Sequence, residues 1–76
     1  MSNEKNYLIE GIEKKVADYP YYKDAPVSRL NEAITEMNDL IRELRKIDRK
    51  GELTNQERKT IPKGFRFIER LKRFAK

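Results

Sequence analysis

The sequence predicts an all-α fold, namely a small three-helix bundle formed by a single domain over residues 1–76. Two observations lead to this prediction. Apolar residues recur every three or four positions, which is the spacing of one helix face, and no segment alternates long enough to predict a strand. The chain has only 76 residues and lacks cysteine and histidine. We therefore expect regular helices and self-association to supply stability that disulfides or metals supply elsewhere.

The first helix is predicted over residues 4–18. Its apolar residues form one stripe, and Pro20 ends it because the residue before a proline avoids the helical conformation. The second helix is predicted over residues 27–50. Gly51 follows it and suits the left-handed position that closes many helices. Between them, Pro20 and Pro26 bracket a short linker.

A third helix is predicted over residues 54–75. Thr54 and Glu57 have the spacing of a capping box, in which each side chain binds the backbone N–H of the other residue. Pro62 lacks a backbone N–H and interrupts the hydrogen-bond ladder of a helix. We therefore expect this helix to be kinked or split near residues 61–64, with a restart at Thr60 or Ile61 as one form of the break.

The three predicted helices share one hydrophobic core. Its expected members are Leu8, Ile12, Val16, Leu30, Ile34, Met37, Ile41, Leu44, Leu53, Ile61, Phe65, Ile68 and Leu71. The second helix also has the 3-4-3-4 apolar spacing of a coiled coil. Its apolar face is wide enough to touch two or more neighbours, and it predicts a homodimer with Ile34, Met37 and Ile41 at the interface.

The composition argues against catalysis. The absence of histidine removes the usual general base and the commonest zinc ligand, and the absence of cysteine removes thiolate sites. There is no glycine-rich phosphate loop and no nucleophile elbow. We expect a non-enzymatic protein without cofactor or metal. The lack of a long apolar run or signal-like start predicts a cytoplasmic protein that does not insert into membranes.

Charge is distributed unevenly along the chain. Residues 1–41 carry five lysines and arginines against eight acids, whereas residues 42–76 carry thirteen against five. The second part therefore has a net charge of +8, against −3 for the first part. Such asymmetry indicates an anionic partner, or an association of the two parts with each other.

The last helix concentrates this positive charge on one side. Lys63, Arg66, Arg70 and Arg73 step by three and four residues, which stacks them along one helix edge. We call these four residues the basic row. Lys76 extends the row, and Arg45 and Arg49 add charge on the second helix. Two plainer interpretations stay open, namely a solvated surface or ion pairs with the acids of the second helix, Glu32, Glu36 and Asp39.

A tyrosine cluster is the second candidate for a site. Tyr21 and Tyr22 follow Pro20 in the linker, and tyrosine is enriched at interface hot spots. We place both at a protein interface, and the alternative that one or two of the tyrosine rings close the end of the helical core stays open for them. Tyr19 continues the stripe of the first helix and is expected to pack on the core.

Two functions fit these features. The first is a small helical regulator whose basic second part binds an anionic partner, above all the nucleic-acid backbone. The alternative is an inhibitor or adaptor, of the phage or accessory type, that docks on an acidic surface of a larger protein. The sequence does not distinguish DNA, RNA and protein as partners.

Overall fold

The computed structural model describes residues 3–75 and confirms the all-α bundle. Three long helices, α1 (Asn3–Ala17), α2 (Val27–Arg49) and α4 (Thr60–Phe74), pack against one another, and a single-turn helix, α3 (Asn55–Arg58), precedes α4. The linker between α1 and α2 is a 3₁₀ helix, Tyr19–Tyr22. Over residues 3–75, no helix is long and apolar enough to cross a bilayer.

Helix α2 ends in a Schellman motif, as Gly51 predicts. The Gly51 N–H donates to the carbonyl of Asp48 over 2.9 Å, and the Glu52 N–H reaches the carbonyl of Ile47 over 3.3 Å. Gly51 has a φ of 75°, which residues with a Cβ seldom adopt. The chain thus turns sharply after α2 and returns along the bundle.

Helix α3 begins with the predicted capping box. The Thr54 N–H donates to Glu57 Oε1 over 2.8 Å, and the Glu57 N–H donates to Thr54 Oγ1 over 3.1 Å. The Thr54 N–H lowers the pKa of the Glu57 carboxyl, and burial raises it by a smaller amount. The Lys5 ammonium at 3.2 Å lowers this pKa as well. This corner is thereby tied to the start of α1.

The break in the third helical region falls at Lys59, slightly before the predicted residues 61–64. Pro62 lies in the first turn of α4, where backbone N–H groups have no intrahelical acceptor and proline is tolerated. A proline ring crowds the carbonyl four residues earlier, which here belongs to Arg58, the last residue of α3. No kink is seen, since the axis bends by only 8° near Pro62.

Most of the expected core residues are buried, but four of them are not. Phe65 is 42% exposed, and Val16, Ile34 and Ile61 are half-buried at the edge of the core. Sequence analysis did not include four residues that the core contains, namely Tyr22, Ala33, Ile47 and Phe67. The full core comprises Leu8, Ile12, Tyr22, Leu30, Ala33, Met37, Ile41, Leu44, Ile47, Leu53, Phe67, Ile68 and Leu71.

The coiled-coil-like seam of α2 is largely occupied within the chain. Met37 and Ile41 are 0% and 2% exposed because α4 covers them, with Gly64 directly opposite. Their assignment to a surface interface is therefore wrong for this packing. Of the predicted dimer residues on α2, Ile34 keeps part of its side chain accessible.

Candidate functional site

The four cations of the basic row lie on the outer side of α4. The opposite side of the helix buries Gly64, Phe67, Ile68 and Leu71 in the core. This burial fixes the rotation of α4, and Lys63, Arg66, Arg70 and Arg73 are consequently all exposed. Lys76, the predicted extension of the row, lies outside the described residues.

The basic row has no acidic partner within residues 3–75. The acids of α2 that could have neutralised it pair with other cations. Glu32 lies 3.8 Å from Arg29, and Asp39 lies 3.7 Å from Arg42. Pairing of the row with the acidic half of α2 in the same chain is therefore contradicted.

Glu36 is the third of these acids, and it connects two helices. Its carboxylate accepts a hydrogen bond from Nζ of Lys15 on α1. The same ammonium lowers the pKa of Glu36 through this hydrogen bond and its charge, and Arg29 contributes a smaller effect. Glu36 thus stabilises the contact of α1 with α2 and does not pair with the cations of α4.

One cation of the row is held against an aromatic pair. The guanidinium carbon of Arg70 lies 4.9 Å from the centroid of the Tyr19 ring, within the range of a cation–π interaction. Tyr19 also stacks on Phe74, with ring centroids 5.5 Å apart and planes at 19°. Tyr19 is therefore half-buried at the edge of the core and orients the row, in addition to the packing role predicted for it.

The row borders a shallow groove between α1 and α4. Its volume is about 250 Å³, and it is lined by Val16, Tyr19, Lys63, Arg66, Phe67 and Arg70. Lys63 and Arg66 extend the positive charge of Arg70 along this groove. The arrangement presents several exposed cations beside a rigid aromatic ring and can bind phosphate or carboxylate groups.

Arg45 and Arg49 belong to α2, and they lie beside the flank of α4 that is away from the basic row. They line a second groove, between α2 and α4, of about 430 Å³, together with Ile41, Arg42, Lys46 and Phe65. We call it the α2–α4 groove. The predicted cations therefore form two basic surfaces, one on each flank of α4, rather than one continuous site.

The two linker tyrosines have different environments. Tyr21 is 83% exposed, and its role at an interface stays a prediction. Tyr22 is buried, with its ring edge-to-face against Phe67 at 5.6 Å. Its assignment to an interface is wrong because it fills the end of the core, and Arg29 covers it from outside at 5.7 Å.

A further groove lies between α1 and α2 and was not found by sequence reasoning. It has a volume of about 590 Å³, and its floor includes Leu8, Gly11 and Leu40 with the exposed ring of Tyr7 at its edge. Its acids are Glu10, Glu36, Asp39 and Glu43, against Lys14 and Lys15. The only sequence signal was an aromatic residue, Tyr7, placed outside the apolar stripe of the first helix.

Comparison with protein-family models, curated proteins and solved structures gave no match. Assignment of a function therefore depends on the geometry and the charges of the two basic surfaces.

Proposed function

We propose that this protein is a non-enzymatic regulator that binds the phosphate backbone of nucleic acid through the basic row. The observation that carries the proposal is that Lys63, Arg66, Arg70 and Arg73 are all exposed and have no ion-pair partner within residues 3–75. A partner can therefore neutralise them without first breaking internal ion pairs.

The chemistry of the row favours phosphate as the ligand. Three of the four cations are arginines, whose planar fork of N–H donors matches the oxygens of a phosphate. A straight row along one helix edge can follow a backbone of regularly spaced charges, and each neutralised phosphate releases bound counterions. Contacts of this kind carry no sequence information, so we expect binding that is independent of base sequence.

A paired set of variants tests the proposal. Arg66→Gln with Arg70→Gln removes two charges from the row, and Gln has nearly the helix propensity of Arg. Lys14→Gln with Lys23→Gln is the matched control, because it removes two exposed charges outside both basic surfaces that, like the row, have no ion-pair partner among residues 3–75. Fluorescence anisotropy with a labelled duplex and a labelled single strand gives each affinity, and circular dichroism confirms that the variants are folded.

The row variant is expected to bind at least about tenfold more weakly than the wild type at low salt, for every sequence tested. The control variant is expected to lose much less, since it changes only the overall charge. Equal losses in the two variants would contradict a role for the row as a site. Absence of binding by the wild type would contradict the proposed function itself.

An acidic protein surface is the alternative partner, and one observation favours it. Tyr21 is 83% exposed in the 3₁₀ helix and could anchor an interface that the cations surround. In that case nucleic-acid binding by the wild type would be weak, whereas loss of Arg66 and Arg70 would slow association with the protein partner.

Homodimerisation through α2 is a separate proposal and can use only side chains that the core leaves accessible. Val27 is 54% exposed, and Ile34 and Leu40 are half-buried. Sedimentation equilibrium measures the mass directly, and Ile34→Asp is expected to reduce a dimer to a monomer. A monomeric wild type at high concentration would contradict the dimer.

A further inference from the structure

Phe65 is an aromatic side chain that lines the α2–α4 groove and does not belong to the hydrophobic core. It is 42% exposed, although its neighbours Phe67 and Ile68 on the same helix are almost fully buried. Its ring borders the groove beside Ile41 of α2. An exposed aromatic residue in a concave surface differs from an isolated apolar residue on a convex one, because a planar ligand can lie against it.

The charged residues that line the α2–α4 groove have one sign. Arg42, Arg45, Lys46 and Arg49 line the groove, and no acid is among its lining residues. Within the described part of the chain, neither Arg45 nor Arg49 has an ion-pair partner. Arg42 and Lys46 each have an acid three residues earlier on α2, at 3.7 Å and 3.0 Å respectively. The groove therefore carries an uncompensated positive potential next to an aromatic face.

We propose that the α2–α4 groove binds one unpaired nucleotide of a single-stranded nucleic acid, with its base stacked on Phe65. Arg45 and Arg49 contact the phosphates on either side of that base. The inference deepens the proposed function and rests on it, because it assigns the single strand as the nucleic-acid class.

The combination of features supports a single strand over a duplex. Proteins that bind single strands combine cationic grooves with aromatic residues on which bases stack, and each stack contributes about 1–3 kcal/mol. In a duplex the base faces are already stacked and paired and cannot reach Phe65. The groove volume of about 430 Å³ lies within the ~300–1,000 Å³ range of sites that take small ligands.

The two flanks of α4 can act on one strand. Phe65 and Arg66 are consecutive residues and lie about 100° apart around the helix, so the groove and the basic row border the exposed face of α4 from its two sides. A strand that crosses this face meets the row on one side and Phe65 on the other. Affinity for single strands is then the sum of a backbone contribution and a stacking contribution.

The sequence contains no tryptophan, so a single introduced tryptophan reports stacking directly through its fluorescence. Phe65→Trp puts a single indole in the groove and keeps an aromatic face there. Tyr7→Trp is the matched control, because Tyr7 is exposed beside the acidic groove of α1 and α2. The probes are a DNA single strand of about 12 nucleotides, its duplex, and an abasic single strand with the same number of phosphates.

We expect the single strand to quench the fluorescence of the Phe65→Trp protein, whereas the abasic strand leaves it unchanged and the Tyr7→Trp protein shows no response. Phe65→Leu keeps an apolar side chain in the groove but removes the π face. It is expected to weaken single-strand binding about fivefold or more, the lower end of a stacking contribution, and to leave duplex binding unchanged.

Two results would overturn the inference and leave the proposed function intact. The first is unchanged single-strand affinity in Phe65→Leu. The second is quenching of the Phe65→Trp protein by the abasic strand or by polyglutamate to the same extent as by DNA, which would show charge binding without stacking. Absence of binding to every nucleic acid by the wild type would instead overturn the proposed function, and the inference with it.

Discussion

The guanidinium group of Arg70 lies over the ring of Tyr19, and the ring of Phe74 stacks on the same tyrosine. The three side chains connect the 3₁₀ helix with the end of α4 and hold one cation of the basic row in place. The row is thus partly preorganised, which lowers the entropy cost of binding a charged partner.

This arrangement predicts the effects of two substitutions at Tyr19. Tyr19→Leu removes the cation–π contact and the aromatic stack, so the free energy of unfolding should fall by about 1–2 kcal/mol. Tyr19→Phe keeps the ring and should lie close to the wild type. Urea denaturation measures both values, and equal stability of the two variants would show that the ring contributes only apolar bulk.

The capping box of α3 predicts a defined loss on truncation of Thr54. Thr54→Ala removes the acceptor of the Glu57 N–H, so we expect the free energy of unfolding to fall by about 1 kcal/mol. In a domain of this size the thermal midpoint should drop by several degrees. Thr54→Ser retains a hydroxyl acceptor and serves as the control. A midpoint unchanged in the alanine variant would mean that the cap adds nothing.

The lowered pKa of Glu57 predicts a pH dependence of stability. A carboxyl whose pKa is lower in the folded state binds fewer protons there than in the unfolded state. Its stabilisation is fully present above the unfolded-state pKa of about 4.3 and is lost as the pH falls through the lower folded-state value. Glu57→Gln removes this carboxyl from the titration. On acidification the wild type should lose the stabilisation from Glu57, so the difference in unfolding free energy between the two proteins should shrink. A constant difference between pH 7 and pH 3 would contradict the assignment.

The two glycines that lie within helices predict different effects of substitution by alanine. A Cβ at Gly64 would lie 2.7 Å from Ile41 Cδ1 and 3.1 Å from Met37 Sδ, whereas a Cβ at Gly11 would lie 3.5 Å from the nearest atom, Leu40 Cδ1. Gly11→Ala should therefore stabilise the protein by up to about 1 kcal/mol, because alanine favours the helix. Gly64→Ala gains the same propensity but overpacks the core and should be less stable than Gly11→Ala by about 1–3 kcal/mol. Thermal unfolding of the two variants gives the order, and equal midpoints would rule out close packing at Gly64.

The helix boundaries could be predicted because local signals determine them. Gly51 and the pair Thr54 and Glu57 act through backbone conformation and hydrogen bonds within a few residues, and the structure has both motifs where they were expected. The effect of Pro62 was placed slightly too late. Proline disturbs the carbonyl of the residue four positions earlier, so the interruption precedes the proline itself.

The partner of each apolar face could not be predicted from spacing. Met37 and Ile41 have the same periodicity whether they meet α4 of their own chain or α2 of a second chain. Only the packing of α4, with Gly64 against Ile41, decides between these arrangements for the single chain. Phe65 lies at the margin of the apolar side of α4, where a small rotation of the helix decides burial, so its exposure also required the structure.

The residues of the basic row were predicted, but the absence of ion pairs between the row and the acids of residues 3–75 was not. Sequence spacing places Lys63, Arg66, Arg70 and Arg73 on one edge of a helix, whereas the choice of partners by Glu32, Glu36 and Asp39 depends on how the three helices are arranged in space. The division of the cations between two flanks of α4 likewise depends on the tertiary packing.

The salt dependence of nucleic-acid binding tests the central claim most directly. The dissociation constant of one single strand is measured between about 50 and 200 mM salt for the wild type and for Arg66→Gln with Arg70→Gln. If both arginines contact phosphates, the slope of log K against log salt should become shallower by about 1.4 units, since each phosphate contact on a single strand contributes about 0.7. The same slope in both proteins, or a wild-type slope near zero, would contradict binding of the phosphate backbone by the basic row.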